Sequence, residues 1–269
     1  MTGHAGARAA AARPARLVPP RRLVVPWTTA ALVAAAAWVF TITRARSMGD
    51  GPGTMGLALP PFLGLWIVMM AAMMLPSVAP VAVLWAHVIG AVPAAGARVA
   101  RMTGFLGGYL LAWSACGIAA FAALTGAGRL AAESPAAAHW LGAAILAGAG
   151  AYQFSGRKDK CLRSCRSPIG ALLRYMAFRG PSRDVRVGLH HGATCVGCCW
   201  GLMVSLIAVG VMNVPVMAAL AVVIFIEKTW RYGKPFAKAV GILLIGIGLA
   251  SIWLPWLLPG LHGPTMAMR

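Results

Sequence analysis

One apolar run constrains this chain more than anything else in it. From Phe62 to Ile89 it reads FLGLWIVMMAAMMLPSVAPVAVLWAHVI, with no Asp, Glu, Lys or Arg. A helix rises about 1.5 Å per residue, so such a run outreaches the ~30 Å hydrocarbon core of a bilayer. Soluble domains rarely spend so many consecutive residues without a charge. The run predicts a membrane helix.

The same reading repeats along the chain. Further apolar runs lie at Val24–Ile42, Phe105–Leu124, Trp140–Phe154, Cys195–Met212, Val214–Ile226 and Val240–Leu258. Those at 140–154 and 214–226 are short for a full crossing and need flanking residues. The expected fold is all-α, a polytopic transmembrane helix bundle of six to seven spans. Composition agrees, since 60% of the 269 residues are hydrophobic and 11% are charged, against about 25% charged in ordinary soluble domains.

Charge orients the bundle. The sequence holds 24 basic and 5 acidic residues, for a net charge of +19. That excess would suit nucleic acid, yet its placement suits a membrane. Arg8, Arg13, Arg16, Arg21 and Arg22 precede the first span, and Arg98 and Arg101 follow the second. The segment after the fourth carries Arg157, Lys158, Lys160, Arg163, Arg166, Arg174, Arg179, Arg183 and Arg186. Lys228, Arg231, Lys234 and Lys238 follow the sixth, and only Arg44, Arg46, Arg129 and Arg269 fall on the other side. The positive-inside rule then puts the N-terminus and these loops in the cytoplasm. Residues 1–22 are expected as a disordered basic tail, residues 23–262 as a single transmembrane domain, and residues 155–191 as a cytoplasmic loop. The expected partner is the lipid bilayer, and no nucleic acid.

Five of the six cysteines fall in two clusters. In RKDKCLRSCRSP, Cys161 and Cys165 stand four apart, and in HHGATCVGCCWG, Cys195, Cys198 and Cys199 stand at i, i+3 and i+4. Both spacings put the thiols on one face of a helix. The topology brings both clusters to the cytoplasmic side, which is reducing and leaves thiols free as ligands. The cations around Cys161 and Cys165 favour thiolate. Thiolates select soft or borderline ions, so Cu(I) or Zn(II) is the expected metal. His190 and His191 stand ready to complete a mixed Cys/His set. Between the clusters, Ser167–Pro168 opens a helix with Ile169, Leu172, Leu173 and Met176 on one face and Gly180–Pro181 at its end, an amphipathic helix suited to the membrane interface.

A second soft-ligand feature lies inside the second run, where Met69 pairs with Met73 and Met70 with Met74 at i, i+4. Pro76 and Pro80 kink the same helix. These thioethers suit a relay for Cu(I), though methionine also fills apolar cores. Glu227 is an acid at the inner end of a span, where it serves a transport path or pairs with Lys228 or Arg231. Cys116 in LAWSACGIAA reads as a packing residue and His87 as an interfacial one.

Several of these segments together resemble a bacterial family, the predicted metal-binding integral membrane proteins, whose function is undetermined. The resemblance rests on WIVMMAAMMLPSVAP (66–80), GYLLAW (108–113), YQFSGRKDKCLRSCRSP (152–168), HGATCVGCCWGLM (191–203) and EKTW (227–230). It implies a bacterial cytoplasmic membrane protein in which Cys161, Cys165, Cys195, Cys198 and Cys199 match the metal-binding pattern.

Three functional readings follow. The first is a membrane protein that binds Cu(I) or Zn(II) and moves it or hands it to a metal-carrying partner. The second is a thiol–disulfide oxidoreductase using the Cys195-x-x-Cys198 pair. The third is a structural or assembly subunit that docks through the basic loop. No catalytic residue is assigned, and no nucleotide-binding motif is present.

Overall fold

The computed structural model describes residues 21–48 and 53–261. The tail expected as disordered therefore lies outside the described residues, except that Arg21 and Arg22 open the first helix. Among the described residues the chain is all-α, without a strand. In chain order the helices are α1 (Arg21–Met48), α2 (Leu59–Gly90), α3 (Ala95–Glu133), α4 (Pro135–Tyr152), α5 (Gly156–Cys165), α6 (Pro168–Tyr175), α7 (Arg183–Val209), α8 (Val214–Thr229) and α9 (Gly233–Ala250). Two short 3-10 turns, Pro255–Leu257 and Pro259–Leu261, end the described chain.

A helix forms at each of the seven expected positions. Five of them, α1, α2, α3, α7 and α9, are long and apolar enough to cross a membrane by length and composition. The helix α8 is short at 16 residues, and α4 reaches 18 but is diluted by Ala and Gly.

Boundaries differ where breakers, and not apolarity, decide them. The third run covers the middle of α3, a helix of 39 residues. Nothing in its Ala-rich flanks interrupts the hydrogen-bond ladder until Pro135, which keeps Ser134 out of the helical region (φ −146°, ψ 85°). The fifth run was expected to begin near Cys195, yet α7 starts at Arg183 and carries its polar first turns on the same helix. Asp184 sits in that first turn, near the positive end of the helix dipole, and takes Arg101 of α3 at 3.0 Å. Gly210 ends α7 at φ +103°, a conformation natural to glycine. Asn213 then caps α8 by accepting from the Val216 amide at 3.2 Å. The last helix stops at Ala250, earlier than expected, because Pro255 and Pro259 fold the remainder into 3-10 turns.

Close helix packing comes from glycines spaced four apart. Gly104 and Gly108 on α3 lie against Asp184, Val185 and Leu189 of α7, and Gly188 and Gly192 on α7 lie against Phe105, Tyr109 and Ala112 of α3. A Cβ on Gly188 would run into the Phe105 carbonyl, and one on Gly108 into the Val185 carbonyl. A Cβ on Gly192 would lie 2.8 Å from the Tyr109 carbonyl oxygen. Small residues let the two backbones touch, which replaces side-chain packing with backbone van der Waals contact. The α4/α9 pair repeats the device, since a Cβ on Gly150 would stand 2.6 Å from the Gly241 carbonyl oxygen.

The buried core runs through α2, α3 and α7, with Trp66, Trp85, Phe105, Tyr109 and Trp113 all enclosed. The indole of Trp66 donates to the Trp113 carbonyl at 2.9 Å. Outward faces carry exposed large apolar side chains, including Leu32, Val39, Leu111, Ile118, Ile242 and Leu243. Within α2, Pro76 and Pro80 each remove a backbone donor, and Ser77 donates its hydroxyl to the Met74 carbonyl at 2.9 Å.

Candidate metal centre

The centre is built on α7. Its i, i+3, i+4 spacing turns Cys195, Cys198 and Cys199 inward, and their sulfurs all lie within 4.8 Å of one another. The Cys198 and Cys199 sulfurs are 3.2 Å apart, and the Cys198 thiol also reaches the Cys195 carbonyl at 3.1 Å. All three residues are buried. They lie about 18–24 Å along the axis from the start of α7, well inside the helix.

The first cluster meets them there. Helix α5 follows α4 after a short turn and is capped by Ser155, which accepts from the Lys158 amide. Cys165 ends it, and Cys161 lies one turn before on the same face. The Cys165 sulfur stands 3.7 Å from that of Cys198. Cys161 packs on the bare backbone of Gly197, so closely that a Cβ there would lie 2.7 Å from its sulfur. Both residues are only partly buried and are therefore the more accessible members of the group. All six cysteines are free thiols.

Two polar side chains touch the Cys195 sulfur. The Lys228 ammonium on α8 donates to Cys195 Sγ at 3.0 Å and to Ser77 Oγ at 3.1 Å, linking α8, α7 and the part of α2 that holds Pro76 and Pro80. Tyr109 of α3 places its hydroxyl 3.2 Å from the same sulfur. That contact depends on the glycine seam, which brings α3 against α7.

A buried ion pair seats α5. Lys158 Nζ donates to Glu227 Oε2 at 2.7 Å, with side chains 1% and 2% exposed. Gln153 adds a donor to Glu227 Oε1 at 3.3 Å. Arg166, just past α5, donates to the carbonyls of Glu227 and Arg231 at 3.0 and 3.1 Å. This network fastens the segment carrying Cys161 and Cys165 to the end of α8, while Lys228, next in sequence, turns to the thiols.

A family described as PpoB2, copper chaperone, matches residues 63–251 of the chain. This chain belongs to the PpoB2 copper chaperone family. No curated protein and no solved structure matches it. The matched span holds all five clustered cysteines, and the family's description names copper, where the residues alone left copper and zinc open.

In this PpoB2 family member the other sequence-derived candidates stand outside the sulfur group. His191 is buried one turn before Cys195, but its Nδ1 is shared with the Tyr175 hydroxyl at 2.9 Å and its ring packs beside Phe105 and Tyr109. Burial pushes the Tyr175 phenol above its ordinary range, which keeps it a neutral hydrogen-bonding group. His190 is exposed and sits edge-on to Tyr175 and Phe178. Met69, Met70, Met73 and Met74 are buried in the α2 core, in the turns just before Ser77. Glu227 pairs with Lys158, not with Lys228 or Arg231 as the sequence suggested. Cys116 packs at the edge of the core, apart from the cluster.

The sequence reading passes over Tyr109 and Gly197 altogether, and over the contacts of Lys228 with Cys195 and of Lys158 with Glu227. Tyr109 and Lys228 stand in GYLLAW and EKTW, two of the segments that carry the family resemblance, so a signal was present without a spacing that tied it to the thiols.

Proposed function

We propose that this is a multi-pass membrane protein that binds Cu(I) through the thiols of Cys161, Cys165, Cys195, Cys198 and Cys199 and hands it to a partner. The observation that carries this reading is the 3.7 Å approach of Cys165 to Cys198, which joins two thiol groups from separate helices into one set. Sulfur donors without a carboxylate or a free imidazole select a soft ion, and the copper chaperone family supports copper among the soft ions.

Charge favours the same ion. Lys228 holds its ammonium 3.0 Å from Cys195 Sγ. An ion on that sulfur sits about 5 Å from the ammonium. At an effective dielectric of about 20, each unit of ionic charge adds about 3 kcal/mol of repulsion. A singly charged Cu(I) bears that once, and Zn(II) bears it twice.

In this mechanism Cu(I) arrives from a reducing compartment at the partly exposed Cys161 and Cys165 and passes by ligand exchange to the buried trio. The path reverses for release. The methionines of α2, reached past Lys228 and Ser77, are the proposed continuation for an ion that leaves towards the other face. Five long apolar helices and the apolar outer surface support membrane placement, and crossings by the shorter α4 and α8 would bring the proposed spans to six or seven. The distribution of basic residues supports a cytoplasmic N-terminus and a cytoplasmic thiol face in a bacterial inner membrane, with α6 at the interface.

The test is copper loading of the purified protein under reducing conditions. The wild type is expected to retain about one equivalent, and the Cys198→Ser/Cys199→Ser variant none. No retained copper at any loading overturns the proposal.

A further inference from the structure

Away from the thiols, the elbow between α5 and α6 carries an open surface pocket of about 340 Å³ lined by Lys160, Arg163, Ser164, Ser167, Gly170 and Arg174. We propose that it binds the phosphate of an anionic glycerophospholipid headgroup. The juxtaposition that carries this is three unpaired cations around one cavity, edged by an exposed apolar helix face.

The spacing explains the cavity. Lys160, Arg163, Ser164 and Ser167 stand at i, i+3, i+4 and i+7, so α5 and its exit present them on one face. On α6, Gly170 and Arg174 stand at i and i+4, and the Arg174 guanidinium crosses to α5 to donate to Ser164 Oγ at 2.7 Å. One end of the guanidinium is thereby fixed, and its remaining N–H groups are left for a ligand. Ser167 Oγ accepts from the Gly170 amide at 3.2 Å, which sets the first turn of α6 beside the cavity. No carboxylate lines the pocket. Among the described residues the ion pairs are Arg101–Asp184 and Lys158–Glu227, so Lys160, Arg163 and Arg174 have no acid partner. Asp159, next to Lys160, makes no ion pair either.

The choice of a lipid over a free anion comes from the neighbouring face. Ile169, Leu173 and Met176 follow the i, i+4, i+7 stripe of α6 and are 68%, 69% and 46% exposed, while Ala171 and Tyr175 hold the helix to the bundle. A ligand with acyl chains along that stripe and a phosphate among the cations satisfies both surfaces at once. Basic pockets at the cytoplasmic side of helix bundles take anionic headgroups in this manner, and the volume is near the lower end of small-ligand sites. Because the lipid would bridge α5 and α6, it would also steady the segment that carries Cys161 and Cys165.

The inference rests on membrane placement and not on copper. Purified protein is reconstituted into bilayer discs of phosphatidylcholine with a minor share of phosphatidylglycerol, and the lipid retained on gentle extraction is measured by native mass spectrometry. Incorporation into the discs tests membrane placement separately. Enrichment of phosphatidylglycerol is expected in the wild type and in Arg163→Lys/Arg174→Lys. In Lys160→Ala/Arg163→Ala/Arg174→Ala it should fall roughly tenfold or more, with disc incorporation and helical circular dichroism unchanged as proof of folding. Equal retention in the wild type and the alanine variant overturns the proposal. So does displacement of the lipid by millimolar inorganic phosphate, which would mark a site for the free anion.

Discussion

Replacing Lys158 by Met probes the seat of α5 directly. Lys158 and Glu227 meet at 2.7 Å with almost no solvent exposure. The substitution leaves the Glu227 carboxylate buried, with Gln153 at 3.3 Å as its remaining side-chain donor. Stranding one member of a buried pair costs about 3–5 kcal/mol. Helix α5 has 10 residues, of which Lys158 and Leu162 are buried, and full burial of one leucine returns only about 1.5–3 kcal/mol. The penalty therefore exceeds the largest apolar contribution of α5, and the helix is expected to lift before the bundle unfolds. A cost of 3 kcal/mol corresponds to about 150-fold in the open population. Where reclosing outpaces reaction, labelling of the buried Cys198, which Cys165 of α5 covers, by a thiol reagent follows that population, so labelling should accelerate by about a hundredfold. Lys158→Met/Glu227→Leu removes both charges and should return labelling to near the wild-type rate, since apolar replacement of a buried pair is often neutral. Unchanged labelling in the single variant refutes the reasoning, as does a double variant no more closed than the single one.

The other expectations concern single contacts. Gly197→Ala would place a methyl 2.7 Å from the present position of Cys161 Sγ; it should weaken Cu(I) binding in a competition titration by roughly tenfold while the protein stays folded. Gly188→Ala drives a methyl into the Phe105 carbonyl, which is backbone and cannot swing aside; detergent unfolding should show a loss of about 1–3 kcal/mol. Lys228→Met takes the ammonium from Cys195, so the ratio of zinc to copper bound in mixed-metal loading should rise. Cys116→Ser should leave the copper content unchanged, because that thiol packs apart from the others.

Much of the bundle was legible because long apolar runs report directly on helices: all seven positions became helical. Their ends were not legible in the same way. The flanks of α3 carry no breaker before Pro135, and α7 takes in the polar stretch from Arg183 that a hydropathy reading sets aside. The thiols were legible because i, i+3, i+4 and i, i+4 spacings have one geometric meaning on a helix. Their meeting was inferred from topology, and the 3.7 Å gap between Cys165 and Cys198 is its structural counterpart. Tyr109 at Cys195 depends on how close two backbones come, and that closeness is written in Gly104, Gly108, Gly188 and Gly192, spacings that carry meaning only once α3 and α7 are known to be neighbours. Lys158 hides in RKDKC, where a basic run reads as solvated, yet one of its cations is the most enclosed lysine of the described chain. His191 shows how little spacing alone decides: it lies one turn from Cys195, its Nδ1 meets the Tyr175 hydroxyl, and the close group of ligand atoms holds the three thiols without it.

X-ray absorption at the copper edge of reduced, copper-loaded protein addresses the shared thiol site most directly. The account predicts Cu(I) with a first shell of sulfur alone, and a change in that shell when Cys165→Ser removes the donor from α5. A shell dominated by nitrogen or oxygen, or a sulfur shell indifferent to Cys165, would contradict it.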